Sequence, residues 1–233
     1  MDGEWIFQRS ELLLGKEKVE RLSRKNVLVI GVGGVGAFAA EFIARAGVGN
    51  MTIVDGDCVE ISNRNRQLLA LESTMHQPKV KVMQQRLNDI NPDICVTAIE
   101  KFIEPEDVPE LLNGNFDFVV DAIDSVPTKA CLIAECFARN IPMVSSMGAA
   151  GKIDPSMIHI AKLSKTHHCG LAKALRTRLK KTAVFPDVIT VFSSEEPSSC
   201  QYTPDGKPGT ISYLPAMFGA YCAAVTLRHL MEN

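Results

Sequence analysis

The stretch Val27–Asp57, VLVIGVGGVGAFAAEFIARAGVGNMTIVDGD, decides the fold. Val27 to Ile30 is an unbroken apolar run of strand length. Gly31, Gly33 and Gly36 punctuate the turn after it, apolar residues then recur at helical spacing, and Met51 to Val54 is a second apolar run ending in acids. Strand, glycine turn, helix and strand in that order form the opening unit of a nucleotide-binding α/β sheet. In G-x-G-x-x-G the first glycine permits the tight turn, the second lets backbone approach phosphate, and the third lets helix lie close on strand. Helix-start N–H groups, beside Gly34 and its neighbours, then favour an anion. The glycines do not choose between NAD and ATP. Asp55 closes the second strand 19 residues after Gly36, where a carboxylate can bond the ribose hydroxyls of either; without a ligand it reads as a solvated turn acid.

Outward from this unit, strand-length apolar runs alternate with helical patterns: Ile94 to Ile99, Phe116 to Val120 and Met143 to Ser145 follow the first two. Such alternation, with near-continuous apolar strands, predicts a Rossmann-like α/β fold, a mostly parallel sheet with helices on both faces. SMIHIAKL and DVITVFSS, separated by a basic helix over Ala172 to Lys181, predict an antiparallel extension. LPAMFGAYCAAVTLRHL predicts a final helix packed back on the sheet. Ser193 to Ser212, rich in Ser, Pro and Gly, reads as a loop. At 233 residues and 46% apolar, the chain suits one large domain: an N-terminal helical segment over 1–25, a nucleotide-binding core over 26–150, and a substrate-binding extension with the last helix over 151–233.

The charges after the second strand are unlike those of a dehydrogenase. DGDCVEISNRNRQ brings Asp55, Asp57, Asn63, Arg64, Arg66 and Gln67 together, and Lys79 lies thirteen residues beyond Arg66. Arginine and lysine aimed at one pocket suit a triphosphate whose charge must be spread and whose pyrophosphate must leave. The alternative is a solvated charged loop. A second acid cluster, Asp121 and Asp124 in FVVDAIDSVPTK, follows the fourth strand, at the carboxyl end where open parallel sheets bind ligands. A carboxylate there, Asp124 by preference, can hold Mg²⁺ that is also bound by phosphates. Asp121 reads equally well as a helix cap or turn acid.

Net charge is −2 and the sequence pI is about 6.2, so any nucleic-acid contact needs a local patch. One exists. Between Lys162 and Lys181 stand seven cations, Lys162, Lys165, Lys173, Arg176, Arg178, Lys180 and Lys181, with no Asp or Glu, and with His167 and His168 beside them. A solvated helix face is normally laced with acids, so their absence points to an RNA backbone. The seven cysteines are odd in number, scattered and without a C-x-x-C pair, which argues against a disulfide framework and against a structural zinc knuckle. Most should be buried as small apolar residues. With no leader-like N-terminus and no long uncharged apolar run, a cytoplasmic protein with no stable membrane insertion is expected.

Taken together, GVGGVG, VDGD, SNRNRQ, Lys79 and VVDAIDS, in order, resemble the ThiF, MoeB and ubiquitin-activating superfamily of adenylating enzymes. RSELLLG, LNDINP, SSMGAAGKIDP and SKTHHCGLAKALRTRLKK narrow the resemblance to its tRNA threonylcarbamoyladenosine dehydratase branch, over about the first 200 residues. The resemblance implies that Gly34 and its neighbours hold phosphate and Asp55 holds ribose. It further implies that Asn63, Arg66 and Lys79 contact phosphates, that Asp124 binds Mg²⁺, and that Arg9, in FQRS, reaches the ATP of the partner in a homodimer. It implies a tRNA substrate and leaves cysteine desulfurase-linked proteins as further partners. Two positions depart from the family pattern: Arg64 replaces an apolar residue, and Gly56 stands between two acids.

The chemistry so implied is ATP-dependent cyclising dehydration of the modified base, with Arg66, Lys79, Asp124 and Arg9 as the catalytic set and Lys165, His167, Lys173, Arg176, Arg178, Lys180 and Lys181 on the RNA. Cys169, beside the basic helix, is expected to be structural or near the substrate. Three other readings share part of the pattern. An adenylyltransferase for a ubiquitin-like sulfur carrier has the same ATP site, a nicotinamide oxidoreductase fits the opening glycines alone, and a non-catalytic partner of a cysteine desulfurase would turn over no ATP.

Overall fold

The computed structural model describes residues 6–182, 185–197 and 208–232. Among them seven strands, β1 (Asn26–Ile30), β2 (Asn50–Val54), β3 (Cys95–Ile99), β4 (Phe118–Asp121), β5 (Met143–Ser146), β6 (Ile158–Lys162) and β7 (Ile189–Ser193), form one sheet in the order β3-β2-β1-β4-β5-β7-β6. Every neighbouring pair is parallel except β6 with β7. This is the Rossmann-like sheet with an antiparallel extension that the sequence predicts. The extension is the single strand β6 at the edge, while β7 continues the parallel set.

The helices are α1 (Gln8–Leu14), α2 (Lys16–Leu22), α3 (Gly36–Arg45), α4 (Lys79–Ile90), α5 (Val108–Leu111), α6 (Val126–Ala138), α7 (Gly170–Leu179) and α8 (Leu214–Glu232). Because strand side chains alternate between faces, Val27 and Val29 pack with α3, α4 and α8 on one face, and Leu28 and Ile30 with α5, α6 and α7 on the other. α8 lies on α3 as well as on β4 and β5, close enough that a Cβ at Gly219 would sit 2.5 Å from Val35 O. Edge strand β3 is only half-buried or exposed along its length, so its apolar alternation reports one covered face. The predicted loop over Ser193 to Ser212 begins in β7, and its middle, 198–207 with Cys200, lies outside the described residues. No helix among the described residues is long and apolar enough to cross a membrane.

The expectation that most cysteines are buried fails: of the six described, only Cys136 and Cys222 are buried, Cys131 and Cys169 are intermediate, and Cys58 and Cys95 are exposed. Cys58 sits in the loop after β2, and Cys95 on the face of edge strand β3 opposite the one that Val96 and Ala98 pack against the core. Burial pushes the Cys136 and Cys222 thiols up to about 12, so neither is a thiolate at neutral pH.

Sheet order places the ligand crevice. β1 leads through α3 to β2 on one side, and β4 leads through α6 to β5 on the other, so the connections diverge between β1 and β4 at the carboxyl ends of the strands. The register is level there, with Ile30 aligned to Val54 and to Asp121. Gly31 N donates to Val54 O at 2.7 Å and Ala122 N to Ile30 O at 2.9 Å, so three loops leave the sheet from one line.

Candidate active site

A cleft of about 390 Å³ opens at this divergence, within the range typical of small-molecule sites. Its floor is the glycine turn. Gly31 has φ 85° and a Cβ there would stand 2.8 Å from Ala122 O; a Cβ at Gly36 would stand 1.7 Å from Gly31 O. Both positions require glycine, the first for conformation and the third for close packing. At Gly33 the nearest heavy atom to such a Cβ is the Gln67 amide at 3.7 Å, so this position is roomy toward the protein and bare toward the cleft. Gly34 faces Pro215 at the start of α8.

Asp55 ties the acidic side of the cleft to this turn. Its Oδ2 accepts from Val32 N and its Oδ1 from Asp57 N, each at 2.8 Å. Burial raises its carboxyl above the usual range, against those backbone bonds and the nearby Lys79 charge. Lys79 begins α4, where its N–H donates to Asp57 O at 2.9 Å. Its Nζ lies 2.7 Å from Asp57 Oδ2 with a side chain 4% exposed. Arg66, half-buried on the cleft wall, donates from its guanidinium to Ser62 O at 2.9 Å and Asn65 Oδ1 at 2.8 Å. Both cations are thus anchored on the wall of the cleft whose floor is the glycine turn.

The other residues of SNRNRQ divide. Asn63 is buried beside the cleft and not on its lining: its Oδ1 accepts from Glu60 N and its Nδ2 donates to Ser62 Oγ, closing the turn that carries Arg66. Arg64 points away to pair with Glu72 at 2.6 Å, which explains how a cation replaces an apolar residue there. Gln67 lines the cleft, and its Oε1 is buried without a hydrogen-bond partner among the described residues.

The two acids after β4 separate by burial. Asp121 is wholly buried: Lys129 Nζ lies 2.9 Å from its Oδ2, Ser145 Oγ donates to the same oxygen at 2.7 Å, and Ile123 N donates to Oδ1 at 3.2 Å. Lys129 also donates to Ile123 O at 3.0 Å. Asp121 therefore neither caps a helix nor faces solvent; it fixes the turn that delivers Asp124. Asp124 is exposed on the cleft wall and makes no hydrogen bond or ion pair among the described residues, leaving both oxygens available. Among the described residues no three His, Cys, Asp or Glu cluster as a metal site, so a cation here would need ligands from phosphate.

Arg9 sits on an exposed part of α1 and is not on the lining of its own chain's cleft. α7 spans Gly170–Leu179 and so starts two residues before the expected Ala172, because Cys169 caps it: Ala172 N donates to Cys169 Sγ at 3.5 Å. Lys165, His167, Lys173, Arg178, Lys180 and Lys181 are exposed on or beside α7. Arg176 is half-buried and bonded to Thr166 Oγ1. A basic hollow lined by Gly170, Lys173, Thr177, Arg178 and Lys181 abuts Val126, the residue after cleft-lining Ser125. The basic surface and the cleft thus meet at the start of α6. Lys152, which the sequence reading passed over, is buried and donates to Ser193 O at 2.6 Å. Burial holds its ammonium below the usual lysine range.

The chain matches the ThiF family over residues 7–233. It is 48% identical over 191 residues to a tRNA threonylcarbamoyladenosine dehydratase of Bacillus subtilis, covering 82% of this chain and 75% of that one. It is 42% identical over 174 residues to the Escherichia coli enzyme of the same name, covering 75% of this chain and 65% of the relative. The crystal structure of E. coli tRNA N6-threonylcarbamoyladenosine dehydratase in complex with ATP superposes with a TM-score of 0.90 at 36% identity, covering 97% of this chain and 93% of that one. A glycine turn, two anchored cations and a free carboxylate at the sheet's switch point are therefore found in a chain that belongs to the ThiF family.

Proposed function

We propose that this chain is an ATP-dependent tRNA threonylcarbamoyladenosine dehydratase that adenylates the threonyl carboxylate of the modified base and then lets it cyclise. The observation that carries the reading is the convergence of Arg66, Lys79 and Asp124 on one glycine turn, in a chain similar along most of its length to enzymes of that name.

In the first step a carboxylate oxygen attacks the α-phosphorus of ATP, the bond to the bridging oxygen of the β-phosphate breaks, and pyrophosphate leaves with the electron pair. Gly33 and Gly34 bring bare backbone to the phosphates, Asp55 orients the ribose, and Arg66 and Lys79 neutralise charge growing on the leaving group. Asn63 acts on phosphate through the turn it closes, by holding Arg66 in place. Mg²⁺ bound at Asp124 with the nucleotide would lower the charge on the phosphate oxygens. A neighbouring group of the substrate then closes a ring on the activated carbonyl and AMP departs, the net change on the base being loss of one water. Because that closure is intramolecular, orientation alone can supply on the order of 7 kcal/mol. Protein groups need to position the base more than to move protons.

The exposed cations of α7 hold the RNA so that its modified base, unstacked, enters beside Ser125. Arg9 serves the cleft of a second copy in a homodimer, and the whole works as one domain in the cytoplasm, with cysteine desulfurase-linked proteins as candidate associates. The alternative, adenylation of a ubiquitin-like sulfur carrier, uses the same ATP site but leaves the acid-free α7 segment without a task. Incubation with ATP, Mg²⁺ and tRNA bearing the threonylcarbamoyl base should yield a nucleoside lighter by one water in mass spectra, and Arg66→Ala should stay folded yet lose exchange of pyrophosphate into ATP. Exchange by that variant at the wild-type rate would remove Arg66 from the leaving-group role.

A further inference from the structure

Gly56, one of the two departures in the sequence, lies directly under Phe102: a Cβ at 56 would stand 2.5 Å from Phe102 Cγ and 2.5 Å from Phe102 N. Only glycine permits this contact. The ring is thereby backed by the chain just after Asp55, yet 65% of Phe102 is exposed, and it lines the cleft together with Val54 and Ile103. A large aromatic seated on backbone and bare toward a cleft gains its burial only when something covers it.

The position of Asp55 says which part of a nucleotide that would be. The Val32 N–H bond to Asp55 Oδ2 joins the glycine turn to the ribose position, and the phosphates lie on the glycine side. The base therefore extends past Asp55 to the opposite side, where Gly56 and Phe102 stand. Lys101, the remaining cation there, is engaged by Asp107 Oδ1 at 2.7 Å, and Phe102 and Ile103 give that wall its apolar surface beside the exposed Glu104. Resting on the ATP reading of the cleft, we propose that Phe102 is the stacking platform for the adenine of ATP and that Gly56 is the residue that seats it. Recognition through a ring face depends on area and not on edge hydrogen bonds, which fits a phenyl ring left 65% exposed on the wall of the cleft.

Calorimetric titration of wild type, Phe102→Ala and Phe102→Trp with ATP and with inorganic tripolyphosphate tests the assignment. Phe102→Ala should weaken ATP binding by about tenfold, at the lower end of base–aromatic stacking, and leave tripolyphosphate binding unchanged. Phe102→Trp should retain ATP affinity, and the fluorescence it adds over the one native tryptophan, Trp5, should be quenched by ATP and not by tripolyphosphate. If Phe102→Ala binds ATP as wild type does, or loses both ligands together, the platform is overturned while the ATP site stands. If the wild type binds neither ligand, the reading of the cleft falls and the platform with it.

Discussion

Replacing Lys129 by Met should damage this protein more than removal of any surface charge. Asp121 and Lys129 are both fully buried, their charged atoms 2.9 Å apart, and Asp121 is held besides by Ser145 Oγ and Ile123 N. Lys129→Met fills a similar volume but leaves a carboxylate in the core with no counter-charge, a loss of roughly 3–5 kcal/mol. For a domain of this size each kcal/mol moves the melting temperature by roughly 2–4 °C, so a fall of about 6–20 °C is expected. Thermal unfolding followed by circular dichroism measures it. Asp121→Leu combined with Lys129→Met removes both charges and should recover part of the loss, though it frees Ser145 Oγ and the Ile123 backbone groups, so recovery should be incomplete. Because Lys129 also holds Ile123 O, the single variant should bind ATP more weakly by loosening the turn that carries Asp124. A melting temperature within about 2 °C of wild type for Lys129→Met, at most about one kcal/mol at this size, would refute the claim that the pair is a closed, mutually dependent unit.

Two further outcomes follow from charges placed elsewhere. Lys173 and Lys181 line the basic hollow beside α6, so Lys173→Ala with Lys181→Ala should weaken tRNA binding and reduce the slope of log affinity against log salt by about 1.4–1.8, as for two lost phosphate contacts; filter binding at several salt concentrations with an unchanged slope would take them off the RNA. For Lys152, burial lowers the folded-state value below 10.5, so between that lowered value and 10.5 the unfolded chain binds more protons and stability should rise with pH. Lys152→Met should flatten the rise in melting temperature across that window, and an unaltered slope would show that the ammonium is not penalised by burial.

Much of this fold is written in residue order, because parallel strands buried on both faces carry continuous apolar runs and glycine turns have few other uses. Val27 to Ile30 and Met51 to Val54 become β1 and β2 with one residue added at each start. The contents of the cleft are legible to the extent that they follow strands directly: Asp55 and Asp124 come from strand ends, and Arg66 and Lys79 from the segment after β2. What the sequence conceals is side-chain destination. Asp121 and Asp124 look alike in FVVDAIDS, and only the presence of Lys129 one helical turn into α6 commits the first to the core. Arg64 and Arg66 differ in direction because Glu72 holds the first, while Ser62 O and Asn65 Oδ1 hold the second. Phe102 escapes notice because an exposed aromatic after an edge strand carries no periodic signal, and Gly56 becomes informative once the two are seen in contact.

The level register of β1, β2 and β4 constrains how such a chain can change. Ile30, Val54 and Asp121 share one row of the sheet, and the three loops that start from it must keep a common origin to meet. Lengthening a helix or its far connection alters nothing at that row. Adding a single residue inside any of these strands would turn its side chains to the opposite faces and carry one loop out of step with the other two. Chain-length variation is therefore compatible with the cleft at the amino-terminal edge of the sheet and incompatible with it inside the three central strands.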